Sequence, residues 1–435
     1  MRSHRSRAAA FVVLLVALVT CRRSFADEGG KNGREQAVVV AHDDTGFKLA
    51  TKDEKFEMRL FGIVQADVRD YLRKSDRTDY ERFLVRRARP YIEGHVMGDF
   101  DYRLMMDLGN GRVDLLDAFI DAKLFGKALR FRAGKYKQPF SYEQYRMEDL
   151  TLAVFERSIL DTLAPARNVG AMIHGSLGDR NLDYAVGLSN GLRDSDFEEK
   201  RNEKDVVGRV VTRPFRAWDG PLKLFQLGIS GAYGEETDAF DPEAFATPMR
   251  VRYFRFAEGV NAAGPRLRAS PEVAFFYGPW AFAAQYLVQR QRVESSKVPG
   301  SPSAIVPMDA FYALTSVVLT GEHRSSYAEF IHPKRPVSLE HGWHGTGAFE
   351  LLLRTSGMKI GDVVFDERYG LAERGQVTDR VNEISVGLDW YLSRWIWVMG
   401  NFEHAWFGDR LPLGGKGGAL LASQQSLGLR TTVMW

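Results

Sequence analysis

Hydrophobic and polar residues alternate along most of this chain. The stretch 100–108 has aromatic, leucine or methionine side chains at even positions and, apart from Met105, aspartate or arginine at odd positions. The stretches 115–124, 384–392 and 427–435 repeat the pattern. Alternation with a period of two is typical of β-strands, because successive side chains of a strand point to opposite faces.

The charges on the polar face indicate what kind of β-protein this is. Soluble β-sandwiches also alternate, so the alternation alone decides little. Outer-membrane barrels direct the apolar face of each strand toward lipid and the polar face toward a wet lumen, with strands of this length. The pattern therefore favours a transmembrane β-barrel.

The lengths of the connections support a closed barrel. Odd-numbered connections are mostly long and even-numbered ones mostly tight, with 109–112, 214–221 and 322–345 as exceptions. Long outer loops and short periplasmic turns are typical of outer-membrane barrels, and an even strand number returns both termini to one side. We predict an all-β fold, a 16-stranded antiparallel transmembrane β-barrel. The predicted strands are 56–68, 84–96, 99–108, 113–124, 129–137, 169–177, 181–190, 205–213, 222–233, 271–278, 280–292, 309–321, 346–359, 380–392, 395–407 and 424–435.

Aromatic residues flank the predicted tight turns, where a membrane–water interface would lie. Tyr277 and Trp280 enclose one turn, and four aromatic residues surround the turn at 393–394. The chain ends on Trp435, and we expect barrel-assembly machinery to recognise this terminal aromatic residue.

The N-terminus has the features of an export signal. Residues 1–26 contain five arginines and no acid, an apolar run from Ala8 to Thr20 and a small-x-small exit. We predict a cleaved signal peptide at 1–26, a periplasmic segment at 27–55 and the barrel at 56–435. Removal would change the formal charge from +3 to −2 and remove the single cysteine, Cys21. Lipoprotein processing at Cys21 is the alternative, although Thr20 suits it poorly.

Composition excludes several other classes of protein. Outside the N-terminus no apolar run is long enough for a transmembrane helix, and a near-neutral chain does not suit nucleic-acid binding. His341 and His344 form an isolated H-x-x-H, and the glycine-rich stretch 414–418 lies in a predicted outer loop. Neither has the context of a metal site or a phosphate-binding loop. We therefore expect no enzymatic activity, no metal and no cofactor.

Several segments resemble a known family in their order and spacing. Taken together, they resemble the phosphate-selective porin family (porins O and P) from about residue 56 to residue 435. The segments are FGIVQAD (61–67), RRARPYIEG (86–94), DFDYRLMMD (99–107), RAGKYKQPFSYE (132–143), FERSILDTLAPARNVGAMIHG (155–175), FYALTSVVLTGE (311–322), GAFELLLR (347–354), VGLDWYLS (386–393) and LGLRTTVMW (427–435).

The resemblance implies a homotrimeric outer-membrane channel that prefers anions, with a ladder of arginines leading to a narrow zone lined by inward-folded loops. It implies Arg157 in the third outer loop, Asp117 on the fourth strand and, less closely matched, Lys334 in the long even connection. The double arginine of the family corresponds to Arg86 and Arg87. The arginines of the fifth outer loop correspond to Arg250, Arg252 and Arg255.

One position departs from the family. Gln144 stands where the resemblance implies a lysine of the constriction, and Met147 and Glu148 replace small hydroxyl residues. An amide in place of an ammonium group, with an added carboxylate, weakens the attraction for phosphate.

Physical arguments about the arginines leave two questions open. Residues 249–268 carry five arginines against the single acid Glu258, which suits either an anion path or a solvated basic outer loop. Adjacent strand residues point to opposite faces, so we predict that Arg87 faces the lumen. Arg86 then either lies at the membrane interface or is turned inward by a β-bulge.

These observations predict a passive, anion-selective porin of the outer membrane. Phosphate or other small anions would be its solutes, and outer-membrane lipid would surround it. A general non-specific porin is the alternative within this class. A secreted or surface-exposed adhesive or carbohydrate-binding β-protein is the alternative from another class.

Overall fold

The chain forms a closed antiparallel barrel of sixteen strands in the computed structural model, which confirms the predicted fold. The structure describes residues 38–43, 46–73, 82–111, 113–149, 151–191, 203–237, 244–340, 342–412 and 420–435. The barrel strands are β3 (Phe56–Tyr71), β4 (Arg82–Val96), β5 (Phe100–Asp107), β6 (Asp114–Phe125), β7 (Leu129–Lys137), β8 (Arg167–Leu177), β9 (Leu182–Ser189), β10 (Asp205–Thr212), β11 (Gln226–Glu236), β14 (Val260–Tyr277), β15 (Trp280–Ser295), β16 (Ser303–Val318), β17 (Ala348–Ile360), β18 (Arg380–Tyr391), β19 (Ile396–Pro412) and β20 (Leu420–Met434).

Two short pairs of strands lie outside this count. β1 (Val38–Asp43) and β2 (Gly46–Thr51) form a hairpin, and β2 continues the sheet along the first residues of β3. β12 (Phe245–Ala246) and β13 (Arg252–Phe254) pair within the fifth outer loop. The helical parts are short: α1 (Tyr142–Arg146) and the 3₁₀ turns Gly109–Gly111, Ile159–Leu163, Pro221–Leu224 and Asp362–Phe365.

Side chains along the strands face lipid and lumen in turn, as the alternation predicts. On β3, Gln65 and Asp67 are buried inside the barrel, whereas Val64 and Ala66 are exposed on its outer surface. On β20, Arg430 is buried and Leu429 is exposed. This arrangement is stable in a membrane because a cation on the lipid face near the midplane costs about 2–4 kcal/mol.

The tenth barrel strand begins earlier than the sequence predicts. β14 starts at Val260 rather than at 271, so Arg266 and Arg268 belong to the barrel wall and not to the basic loop. Both guanidinium groups pair with the Asp205 carboxylate of the neighbouring wall, at 3.0 and 2.8 Å. The register of β14 on β15 is irregular at residues 263–265, which include a glycine and a proline. A β-bulge accommodates a proline that a regular strand would not.

A bulge also decides the orientation of the double arginine. On β4, Arg87 is opposite Gln65 and Val85 is opposite Ala66, so Arg86 is the extra residue. The bulge turns Arg86 inward, and both arginines face the lumen. The prediction that Arg87 faces the lumen is confirmed. Of the two alternatives for Arg86, the structure shows the β-bulge and not a position at the membrane interface.

The aromatic residues beside the turns divide between the two faces. Tyr277 and Trp280 are exposed on the outer surface, whereas Tyr391 and Trp397 are buried on the lumen side. Trp435 lies at the end of β20, and its backbone N–H and C=O both bond to Gly62, at 3.1 Å.

Some predictions lie outside the described residues. These are the signal peptide at 1–26, Cys21, His341 and the glycine-rich stretch 414–418. Among the residues that are described, no helix is both long and apolar enough to cross a membrane. The same residues contain no group of three or more His, Cys, Asp or Glu side chains placed to hold a metal ion.

Candidate functional site

The third outer loop, L3 (138–166), folds into the barrel and crosses its lumen. Ser141 caps α1 by accepting a hydrogen bond from the Gln144 N–H, and its own N–H donates to Ser230 of β11. Farther along, the Ile159 N–H donates to Ser356 of β17. The apolar residues Leu152–Phe155, Ile159 and Leu160 are buried. Burial of this segment, together with hydrogen bonds to facing walls, holds L3 inside the barrel.

Glu156 of L3 lies within a group of four arginines from the barrel wall. Arg69 and Arg430 donate to Glu156 Oε1 at 2.7 and 2.8 Å. Arg86 donates to both oxygens, at 2.6 and 3.0 Å, and Arg87 donates to Oε2 at 3.4 Å. Burial alone would raise the pKa of Glu156, but these arginines hold it well below its ordinary value. The carboxylate is therefore ionised at neutral pH.

Phe155 fixes the same part of L3 by packing. The Arg430 guanidinium lies 4.3 Å from the centre of the Phe155 ring, a cation–π contact. The ring also covers Gly428 of β20, where a Cβ would come within 2.7 Å of Phe155 Cζ. A side chain at position 428 would push Phe155, and L3 with it, into the lumen.

Arg157, a predicted site residue, follows Glu156 in L3 and forms its hydrogen bonds within the loop. Its guanidinium donates to Asp149 Oδ1 at 2.9 Å and to the Met147 carbonyl at 2.8 Å. Arg157 therefore holds the fold of L3 as well as carrying a charge into the lumen.

Residues 244–259 of the fifth outer loop, L5 (237–259), also fold inward. Thr247 Oγ1 and the Met249 N–H donate to the buried carboxylate of Glu403 on β19, at 2.7 and 3.2 Å. Arg250 follows with φ of +67°, a left-handed conformation that turns the chain at the tip of the loop. Arg250 is exposed, so L5 presents a cation inside the barrel.

L3, L5 and β4 together line a cavity of about 240 Å³ on the outer side of L3, called here the outer cavity. Three predicted site residues meet here: Arg87, Arg157 and Arg250. Arg86 completes a set of four arginines, against two carboxyl groups. The complete lining is Arg86, Arg87, Glu156, Arg157, Ser158, Asp161, Thr162, Ala244, Ala246, Thr247, Pro248 and Arg250.

Asp161 is the titratable group of the outer cavity near neutral pH. Burial raises its pKa to about 7, with the Glu143 carboxylate adding to the effect and Arg157 opposing it. Asp161 Oδ1 has no hydrogen-bond partner among the described residues. The charge of this cavity therefore depends on pH in the physiological range.

The inner side of L3 has cavities of about 430 and 270 Å³, called here the inner cavities, which have five lining residues in common. Periplasmic connections form much of their walls, including residues 213–225 and the segment 319–347. That segment folds inward through Arg324, which pairs with both oxygens of Glu350 at 2.8 and 2.6 Å. The basic residues of the inner cavities are Lys127, Arg130, Arg146, Arg180, Arg209, Arg213 and Arg216, against Asp183 and Glu329.

The other predicted site residues lie apart from these cavities. Arg252 and Arg255 are exposed on L5 but do not line the outer cavity. Asp117 on β6 is buried and pairs with Arg167 of β8 at 2.9 Å. Lys334 is exposed, and its Nζ donates to the Gly321 carbonyl of its own connection at 2.7 Å. The structure does not bring Lys334 to Arg157.

The position that departs from the family is buried. Gln144 is 7% exposed, and its Oε1 has no hydrogen-bond partner among the described residues. Glu148 pairs with Lys137 Nζ at 2.9 Å, which neutralises the lysine at the end of β7. Neither residue adds a positive charge to a cavity.

Sequence reasoning missed the residues that hold L3. Arg69 and Arg430 lie on the charged faces of β3 and β20, so the alternation places them in the lumen. Glu156 lies in a loop, where no periodicity applies, and its contacts come from strands at both ends of the chain.

Comparison with known proteins agrees with this architecture. The sequence model of the family described as "Phosphate-selective porin O and P" matches residues 58–404. Porin O of Pseudomonas aeruginosa is 22% identical over 425 residues, which cover 89% of this chain and 91% of that protein.

Two solved structures show the shared fold. The outer membrane channel DcaP of Acinetobacter baumannii has a TM-score of 0.53 at 10% identity, covering 90% of this chain and 100% of that one. In-vitro folded OmpT, an outer membrane protein of Vibrio cholerae, has a TM-score of 0.52 at 9% identity, covering 88% of this chain and 99% of that one. The family match extends over most of the chain. The protein belongs to the phosphate-selective porin O and P family and is a porin of the outer membrane.

Proposed function

We propose that this porin is a passive channel that prefers anions and carries out no chemistry. The observation that supports the proposal is the excess of basic residues around the cavities on both sides of L3. Four arginines and two carboxyl groups line the outer cavity. The larger inner cavity has five arginines and two carboxylates. Rows of arginine select anions provided that each site also releases the ion readily.

The residues proposed to act on passing anions are those of the outer cavity that reach its water: Arg86, Arg157 and Arg250. Guanidinium groups remain charged at any working pH and match the planar spacing of phosphate and carboxylate oxygens. Arg252 and Arg255 lie on the exposed part of L5, where they would attract anions before these enter the outer cavity. Asp117 and Lys334 are not part of this proposal, because their contacts lie elsewhere.

We propose a general preference for small anions rather than tight selection of phosphate. Gln144 supplies a neutral amide where the family resemblance implies a lysine, and Glu148 pairs with Lys137. With one cation fewer than the family resemblance implies, this part of the channel should bind a multiply charged anion more weakly.

The channel is proposed to work as a homotrimer in outer-membrane lipid. Trp435 is proposed to be the residue that barrel-assembly machinery recognises. The mass of the detergent-solubilised protein tests the oligomer, and a monomeric mass would contradict it. Deletion of Trp435 should reduce the amount of folded barrel in the outer membrane.

Single-channel recording in a planar bilayer tests the main proposal. Discrete conductance steps are expected, with a reversal potential in a KCl gradient that shows chloride preference over potassium. Absence of steps would contradict channel activity, and cation preference would contradict the role of the arginines. Phosphate added at constant chloride should block the current only at high concentration.

A further inference from the structure

Glu156 binds the arginines that would otherwise receive an anion. We propose that Glu156 is a specificity-determining residue, a tethered carboxylate that competes with passing anions for Arg86 and so weakens anion binding in the outer cavity. This inference rests on the proposed anion channel and names the residue that limits its affinity.

The contact between Arg86 and Glu156 has the geometry of an anion complex. Arg86 Nε and Nη2 donate to the two oxygens of Glu156, at 2.6 and 3.0 Å. Paired hydrogen bonds of this kind are how a guanidinium group recognises carboxylate or phosphate. The side chain of Glu156 therefore takes the place that an oxyanion from solution would occupy.

The three other arginines of the group have carboxylate partners besides Glu156. Asp67 accepts from Arg69 at 2.8 Å and from Arg430 at 2.7 Å. Asp149 pairs with Arg87 at 3.2 Å. Loss of the Glu156 charge would leave each of these three arginines with a carboxylate partner, Asp67 being shared by Arg69 and Arg430.

Arg86 differs from them in its partner and in its exposure. Among the described residues, Glu156 is the carboxylate with which Arg86 forms an ion pair. The Arg86 side chain is 16% exposed, compared with 3% or less for the other three arginines. Arg86 is thus the member of the group that both reaches the water of the outer cavity and depends on Glu156 for its countercharge.

Competition follows from the tether. A carboxylate on the same loop has a high effective concentration at Arg86, because no translational freedom is lost when it binds. A phosphate ion from solution must displace it. Without the Glu156 charge, Arg86 and Arg157 would face the same cavity with one acid fewer between them.

The test is phosphate block of chloride current through Glu156→Gln channels, which keep the shape of the side chain and lose its charge. The half-blocking phosphate concentration should fall about three- to tenfold, the effect of one charge-assisted bidentate contact. Glu156→Asp keeps the charge and should stay close to the wild type. In an Arg86→Ala background, the Glu156→Gln change should no longer tighten the block.

A second variant separates competition from simple anchoring of L3. Glu143 accepts its hydrogen bonds from the N–H and Oγ of Ser158, within L3, and its loss loosens the loop without uncovering Arg86. Glu143→Gln should therefore raise conductance or noise without tighter block. If Glu156→Gln behaves in the same way, or leaves the block unchanged, Glu156 only anchors the loop and the inference is wrong.

The wild-type recording distinguishes this failure from failure of the proposed function. A wild-type channel without anion preference contradicts the proposed function itself. An anion-preferring wild type with unchanged block in Glu156→Gln contradicts only the role of Glu156. Heat-dependent mobility on gels confirms for each variant that the barrel is folded.

Discussion

The indole ring of Trp435 lies directly over Gly62 at the seam where the last strand meets the first. A Cβ built on Gly62 would lie 1.9 Å from Cζ2 of the Trp435 ring, far inside van der Waals contact. The two residues also exchange backbone hydrogen bonds of 3.1 Å. The terminal aromatic residue and the glycine therefore form one closing contact of the barrel.

Gly62→Ala should displace the Trp435 ring and weaken this seam. Overpacking of this kind costs about 1–3 kcal/mol. Urea unfolding of the barrel in detergent or vesicles should show the loss, together with a shift in tryptophan fluorescence. Gly231→Ala is the matched control, because its Cβ would lie 3.9 Å from its nearest neighbour. Equal effects of the two substitutions would contradict the prediction.

Phe155→Ala should loosen L3 and make the channel noisier. The ring packs on Gly428 and beneath the Arg430 guanidinium, and its removal costs about 3–5 kcal/mol in a well-packed site. Single-channel recording should show higher mean conductance with flicker. Leu427→Ala removes a neighbouring lipid-facing side chain and should leave the current trace unchanged. A quiet Phe155→Ala channel of normal conductance would show that the ring does not hold L3.

Arg157→Ala and Arg250→Ala should each weaken phosphate block of chloride current, by about three- to tenfold, because each removes a cation from the outer cavity. The two variants differ in a second respect. Arg157 also donates to the Met147 carbonyl, so its loss should add noise, whereas Arg250 lies at an exposed loop tip. Arg368→Ala, on an exposed outer loop, is the control. Unchanged block in Arg157→Ala would place this residue outside the anion path.

Anion preference should fall as pH rises from about 6 to 8. Asp161, whose raised pKa is about 7, is neutral at the lower pH and ionised at the higher one. Ionisation lowers the formal charge of the outer cavity from +3 to +2. Glu156 does not titrate in this range, because its pKa is well below the ordinary value. The chloride-to-potassium permeability ratio should fall by about two- to threefold between these pH values. In Asp161→Asn it should not vary with pH, and a persisting pH dependence would assign the effect to another group.

Much of the barrel could be predicted from the sequence, because alternation is a property of each strand by itself. β7 occupies 129–137, as predicted, and all sixteen barrel strands overlap their predicted ranges. The predicted start of β14, residue 271, was wrong. The strand extends back through Gly264 and Pro265, two residue types that are uncommon inside strands. In the barrel they occupy a bulge, whose neighbours on both sides keep the strand in place.

The site could be predicted only in part, because its geometry depends on contacts between distant residues. The inward orientation of Arg87 can be predicted from the alternation of side chains along a strand. Arg86 faces inward because of a β-bulge, which the hydrophobic pattern does not indicate. The family resemblance placed Arg157 and Arg250, which meet in the outer cavity. The resemblance also implied Lys334, which does not line this cavity. The position of Glu156 depends on how L3 folds, which period-two patterns do not describe.

The carboxylate of Glu156 joins the beginning of the barrel to its end. It accepts hydrogen bonds from Arg69 and Arg86, on the first two barrel strands, and from Arg430, on the last strand. Arg430 is 274 residues from Glu156 in the chain. The contact of L3 with Arg430 therefore exists only once the last strand is in place. The strand that closes the barrel wall also completes the set of side chains that hold the loop in the lumen.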